Sequence, residues 1–241
     1  MGNANSESIC FPAVDAGHEQ TVQSQVYSAL KRSLMNGDFV PGNSVTIRGL
    51  ATDLAVSTMP VREALRRLTA ERALTVSKTG RVSVPIMTRE KLAELVRARI
   101  CLEKQAAIDS VASVNDALID KLITLNRKID ESIAREDERE YLITHRDFHF
   151  SLYRVGAGEV FLPLIESVWL QVSPFLRYTL SIEHLSIYNN NDRHVEVIDA
   201  LKRRDATALG FAVEADIRHG IGSLTEMDWN RLNEQSSQQT G

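Results

Sequence analysis

A chain of 241 residues with 43% hydrophobic side chains can bury one large core or two smaller ones, and no apolar run approaches the roughly 20 residues that span a bilayer. The net charge of −4 is unevenly spread: residues 17–86 hold 9 basic and 5 acidic side chains, whereas residues 87–241 hold 19 and 25. A basic module beside an acidic one argues for two domains, one of which can displace phosphate counterions, and against a uniformly acidic binding protein. Two cysteines, Cys10 and Cys101, with no Cys-x-x-Cys word, exclude a disulfide frame. The first 16 residues lack the basic-then-apolar order of a signal peptide, so a cytoplasmic protein is expected.

In chain order, residues 1–19 read as a disordered leader. Residues 20–86 read as a winged helix-turn-helix of three helices and a β-hairpin. The first helix, 20–36, carries Val22, Val26, Ala29, Leu30 and Leu34 as its core face and stops at Asn36-Gly37. Ile47, Leu50, Ala51 and Leu54 share one face of a second helix, and Val56-Ser57-Thr58 breaks the period. A third helix starts there, with Ser57 or Thr58 as cap, Pro60 in the first turn, and Val61, Ala64, Leu65 and Leu68 as its stripe. A recognition helix enters the major groove by its N-terminal end. Thr58, Met59 and Arg62 are therefore expected to face base edges, and Arg66 and Arg67 to meet phosphates, with Arg48 and Ser57 also within reach of a duplex. After Leu74 the period falls to two: residues 75–77 and 81–84 make a hairpin around Lys78-Thr79-Gly80, whose glycine can take positive φ, and Lys78 and Arg81 flank the duplex as a wing.

Residues 87–226 read as an all-α bundle of six helices, at 89–112, 116–136, 138–156, 159–183, 187–204 and 206–225, with Pro174 expected to kink the fourth. Residues 227–241 read as a disordered polar tail. Only Pro85 to Thr88 separates module from bundle, a connection short enough for a rearrangement of one to reorient the other.

Leu142, His145, His149 and Leu152 recur at three, four and three, so both imidazoles lie along a seam that the leucines must bury. Ile187, His194, Ile198 and Leu201 follow the inward seam of a later helix, and Leu209, Ala212, Asp216 and Gly220 that of the last. Three imidazoles and one carboxylate thus converge from three helices. A buried Asp is costly unless paired or ligating, so a divalent cation is one reading. The other is a set of hydrogen-bonded core histidines with Asp216 paired to Arg or His. His219, three residues after Asp216, is an alternative ligand. His18 and His184 have no partner at ligand spacing.

Residues 60–68, Pro-Val-Arg-Glu-Ala-Leu-Arg-Arg-Leu, together with Arg99-x-x-x-Glu103, His145-x-x-Phe148-His149 and His194, carry a resemblance over about residues 20–225. The chain resembles a GntR-family transcription regulator of the FadR type with a C-terminal FCD ligand-binding domain. The resemblance implies a homodimer on a pseudo-palindromic DNA operator. It also implies a helical cavity that takes a small organic acid, often through a divalent metal: zinc here, with nickel or manganese as alternatives. Two positions depart from the family pattern, which generally has Asp where this chain has His145 and His where it has Asp216. The ligands are exchanged rather than lost. Thr58 and Met59 stand where the family often has Arg and Thr, which leaves the operator sequence open.

The function expected is a repressor whose operator affinity follows a carboxylate metabolite. Arg99 and Arg177 are the candidate clamps on the acid, although Glu103, one turn from Arg99, offers a structural ion pair instead. A metal-responsive regulator is one alternative. A metal-dependent helical enzyme is another, but no hydrolase word such as His-Glu-x-x-His is present and an enzyme has no need of the basic module.

Overall fold

The computed structural model describes residues 21–41, 44–176, 193–221 and 229. Helix α1 (Val22–Met35) starts at Thr21, whose side-chain oxygen accepts from the Ser24 amide, one residue or two later than expected. It ends as Asn36-Gly37 predicted. Gly37 takes φ 72°, its N–H reaches Leu34 O at 3.0 Å, and the Asp38 N–H reaches Ser33 O at 3.0 Å. That paired closure satisfies carbonyls which a helix end otherwise leaves bare. Val26, Ala29, Leu30 and Leu34 are buried, while Val22, in the first turn, is exposed.

Helix α2 (Ile47–Asp53) is capped by Thr46 Oγ1, which accepts from the Gly49 amide at 2.9 Å. Helix α3 (Thr58–Ala70) follows the tight turn and buries Pro60, Val61, Ala64, Leu65 and Leu68. Ser57 occupies its N-cap position in extended conformation, but the hydroxyl makes no cap bond. The wing is one strand richer than the hairpin expected. Strands β1 (Ser44–Thr46), β2 (Thr75–Val76) and β3 (Arg81–Ser83) form an antiparallel sheet in the order β1-β3-β2, with Val82 opposite both Val45 and Val76. Three residues are too few for alternation to show in a sequence. Pairing on both edges is what makes Val82 fully buried and satisfies the backbone of β3.

The remaining helices are α4 (Arg89–Ser110), α5 (Asp116–Ala134), α6 (Glu138–Gly156), α7 (Phe161–Leu176), α8 (Arg193–Lys202) and α9 (Ala206–His219). Four of them start where the sequence places them because each has a side-chain cap. Thr88, Asn115, Asp137 and Asp205 accept from the amides of Lys91, Leu118, Glu140 and Ala208. The expected helices 159–183 and 187–204 are described over 161–176 and 193–202, and Pro174 lies inside α7. Helix α4 packs against α6, α7 and α9, and α5 against α6 and α8, around Phe148, Phe150, Tyr153, Trp169 and Phe175. Trp229, in the stretch expected to be a polar tail, is 6% exposed, with the Arg89 guanidinium 5.0 Å above its ring.

The N-terminal module rests directly on the bundle. Lys31 of α1 pairs with Glu166 of α7 at 2.6 Å, Asp38 with Arg139 of α6 at 3.4 Å, and Arg146 of α6 donates to Asn36 at the end of α1. No described helix is long and apolar enough to cross a membrane.

Candidate metal centre and nucleic-acid interface

His145 and His149, one turn apart on α6, meet His194 from α8 and Asp216 from α9. One ligand atom from each of the four lies within 4.8 Å of the others. His145 Nε2 is 3.2 Å from His149 Nε2, His149 Nε2 is 3.4 Å from Asp216 Oδ2, and His194 Nε2 is 3.6 Å from Asp216 Oδ1. Donors about 2.0–2.2 Å from a shared zinc ion stand roughly 3–3.5 Å apart, so the group is close to a ligating shell. The two positions exchanged relative to the family pattern, His145 and Asp216, both present donors to the same point. His219 does not join the group.

Burial first, then the neighbouring imidazoles and Arg99, pushes the pKa of His145 and of His149 well below the usual imidazole range. Both rings are therefore neutral at physiological pH, the form that offers a lone pair. The outer nitrogens decide which lone pair. Asn126 of α5 presents Oδ1 to His194 Nδ1 at 3.0 Å, and an amide oxygen only accepts, so Nδ1 carries a proton and Nε2 is the nitrogen turned to Asp216. His149 Nδ1 lies 3.1 Å from the Tyr153 hydroxyl. Burial and the Glu103 carboxylate push the Tyr153 phenol well above its usual range, so it keeps its proton. A neutral His149 that donates from Nδ1 to the phenol oxygen offers Nε2 to the cluster. His145 Nδ1 has no hydrogen-bond partner among the described residues.

A cavity of about 200 Å³ opens beside this cluster, bordered by Arg99, Asp130, Tyr141, His145, Arg193, His194 and Asp216 and by several aliphatic side chains. Arg99 is 2% exposed and its Nε and Nη2 reach Glu103 at 2.6 and 3.1 Å, the ion pair the spacing allowed, while its guanidinium lies 4.7 Å above the Trp169 ring. It serves the Glu103 pair and borders the cavity as well. Arg177 and His184 lie outside the described residues, as do His18 and Ile187. Asn126, Tyr153 and Arg193 were absent from the sequence-based site. Asn126 had left a signal, being an amide in the otherwise apolar seam Leu122, Asn126, Ile129.

On the N-terminal module, Arg48, Ser57, Thr58, Met59, Arg62 and Arg66 are all exposed, as are Lys78, Thr79 and Arg81 on the wing. Thr58, Arg62 and Arg66 are spaced by four along α3, away from its buried stripe. Arg66 is held by Glu63 at 3.1 Å. Gly80 takes φ 79° at the wing tip and its carbonyl accepts from the Ile47 amide, which ties the wing to the start of α2.

A three-helix module with an exposed basic helix and wing, seated on a helical bundle with a cavity beside its histidine cluster, has the architecture of a DNA-binding regulator. Residues 22–84 match bacterial regulatory proteins of the gntR family, and residues 94–219 match the FCD domain. The chain belongs to the GntR family, in its FadR-type branch with an FCD domain, and is a transcription regulator rather than an enzyme. It is 28% identical over 208 residues to the HTH-type transcriptional regulator McbR of Escherichia coli K12, covering 86% of this chain and 94% of that protein. It is 24% identical over 209 residues to the gluconate operon transcriptional repressor of Bacillus subtilis 168, covering 83% and 84%. The solved structure of E. coli McbR/YncC superposes with a TM-score of 0.76 at 25% identity, over 90% of this chain and 99% of that one.

Proposed function

We propose that the protein is a cytoplasmic homodimeric repressor whose hold on a pseudo-palindromic operator is set by a small carboxylate metabolite in the cavity of its FCD domain. One observation carries this reading: three imidazoles and Asp216 converge beside a cavity that His145, His194 and Asp216 line and that Arg99 and Arg193 also border. His145, His149, His194 and Asp216 are the residues that would hold a divalent cation, zinc by their nitrogen-rich set, with nickel and manganese as alternatives. Bound there, such an ion supplies positive charge that attracts an anion. Arg99, paired with Glu103, and Arg193, paired with Glu196 at 2.6 Å, border the same cavity, and Arg177 belongs to the same proposal from outside the described residues. Thr58, Met59 and Arg62 read the major groove, Arg48, Ser57 and Arg66 meet the backbone, and Lys78, Thr79 and Gly80 form the wing contact.

Effector binding alters DNA affinity only as far as it favours one pose of the two modules over the other. The direct ties of α1 to α6 and α7 give the bundle a route to that pose. His145 sits on α6 beside Arg146, which donates to Asn36 of α1. Operator footprinting of the metal-loaded protein across a carboxylate series tests the scheme, and Arg62→Ala is expected to weaken protection at every effector concentration. Protection by R62A equal to that of the parent refutes the groove assignment.

A second reading makes the metal itself the signal. Its support is that the chain already offers four donors, enough for a closed shell with no effector. Operator affinity unchanged by complete metal removal counts against it.

A further inference from the structure

The cavity beside the histidine cluster is lined by His145, His194 and Asp216 and, beyond them, by aliphatic side chains among which Asp130 and Tyr141 also stand. Two helices, α5 and α9, pass from a polar residue to isoleucines. On α5, Asn126 supports His194, and Ile129 and Ile133 line the space one and two turns on, at about 1.5 Å of rise per residue. On α9, Asp216 is followed by Ile217 and Ile221, and on α6 the wall passes from His145 to Tyr141. Leu176 from α7 adds a further aliphatic surface. Ile129, Leu176, Ile217 and Ile221 are all at most 6% exposed. Arg193 adjoins His194 in sequence and pairs with Glu196 at 2.6 Å, and Arg99, paired with Glu103, is electrostatically coupled to Asp216.

We propose that the effector is a monocarboxylate with a short apolar tail rather than a polyhydroxylated or polyanionic acid, a refinement that rests on the reading of this cavity as an acid sensor. A volume of about 200 Å³ lies below the roughly 300–1,000 Å³ of pockets for drug-sized ligands. A space of that size suits a small acid rather than a bulky one. Hydroxyls along such a tail would give up their water partners against isoleucine methyl groups, at about 1–3 kcal/mol for each left unsatisfied. A second carboxylate at the far end would face Asp130, which borders the same space between Ile129 and Ile133. The tail gains from burial what the charged end alone cannot supply.

Titration calorimetry of the full-length, zinc-loaded protein with acetate, hexanoate, phenylacetate, gluconate and citrate tests this. Hexanoate and phenylacetate are expected to bind at least tenfold tighter than acetate, gluconate or citrate. Ile133→Asn, at a partly buried wall position, is expected to lower hexanoate affinity about tenfold while leaving acetate affinity and zinc content unchanged. Gluconate or citrate binding as tightly as hexanoate, or equal affinity for hexanoate and acetate, overturns the apolar-tail assignment and leaves acid sensing standing. No binding by any of the five overturns both.

Discussion

Asn126 of α5 holds His194 of α8 through a bond of 3.0 Å from Nδ1 to Oδ1, and in doing so leaves Nε2 of that histidine facing Asp216. An outer partner that selects the tautomer is worth about 10- to 100-fold in metal affinity in sites of this kind. Asn126→Leu is therefore expected to weaken zinc binding by one to two orders of magnitude, read by competition with a chromophoric chelator. Asn126→Asp, which keeps an acceptor at the same place, is expected to retain most of it. Equal loss in the two variants would show that the amide only fills space.

Metal loading should appear as stability. A ligand that binds only the folded chain at a hundred times its Kd adds about 2.7 kcal/mol. For a chain of this size that raises Tm by roughly 5–10 °C. Excess zinc over the chelated protein is expected to give this shift, and Asp216→Ala or His149→Ala to abolish it. A full shift in both variants refutes the proposed ligand set.

Lys78 and Arg81, exposed on either side of Gly80, are expected to act on phosphates rather than bases. Replacing either with Ala should lower operator affinity by similar factors on all sequences and reduce the slope of log K against log salt by about one. A change in sequence preference with an unaltered slope would move these residues from the backbone to the base edges.

Lys31 and Glu166 join α1 to α7 at 2.6 Å with about a quarter of each side chain exposed. Glu166→Lys sets two ammonium groups together and is expected to lower stability by about 1–3 kcal/mol. The reciprocal pair K31E/E166K should recover most of the loss in thermal unfolding, since the partners couple directly. Additive losses would show that this tie contributes nothing specific.

Glu136, after α5, takes φ 56° with an exposed side chain. The left-handed conformation costs an L-residue about 1–2 kcal/mol, part of which glycine returns through unfolded-state entropy. Glu136→Gly is expected to stabilise by a few tenths to about 1 kcal/mol in chemical denaturation, and a loss of stability would point to a role for the side chain.

Much of the fold is local and so could be read from residue order. The caps at Thr88, Asn115, Asp137 and Asp205 and the stop at Gly37 act within one turn, which is why the helix starts coincide. The stripe Val61, Ala64, Leu65, Leu68 is buried as its period requires, because a helix with one apolar side has a single face to bury. Strand β1 escaped notice since its partner β3 is more than 30 residues away and three residues show no alternation.

By itself the sequence determined the helices, the exposed basic face of α3, and which side chains turn inward on each helix, because spacing on a helix dictates the face. Tertiary structure alone decided the rest. That three imidazoles and Asp216 meet, that Asn126 bonds to His194, that Arg99 serves Glu103 while bordering the cavity, and that isoleucines from α5 and α9 line it together are relations between helices. Such relations depend on how ridges and grooves settle against one another, and no periodicity within a single helix encodes them.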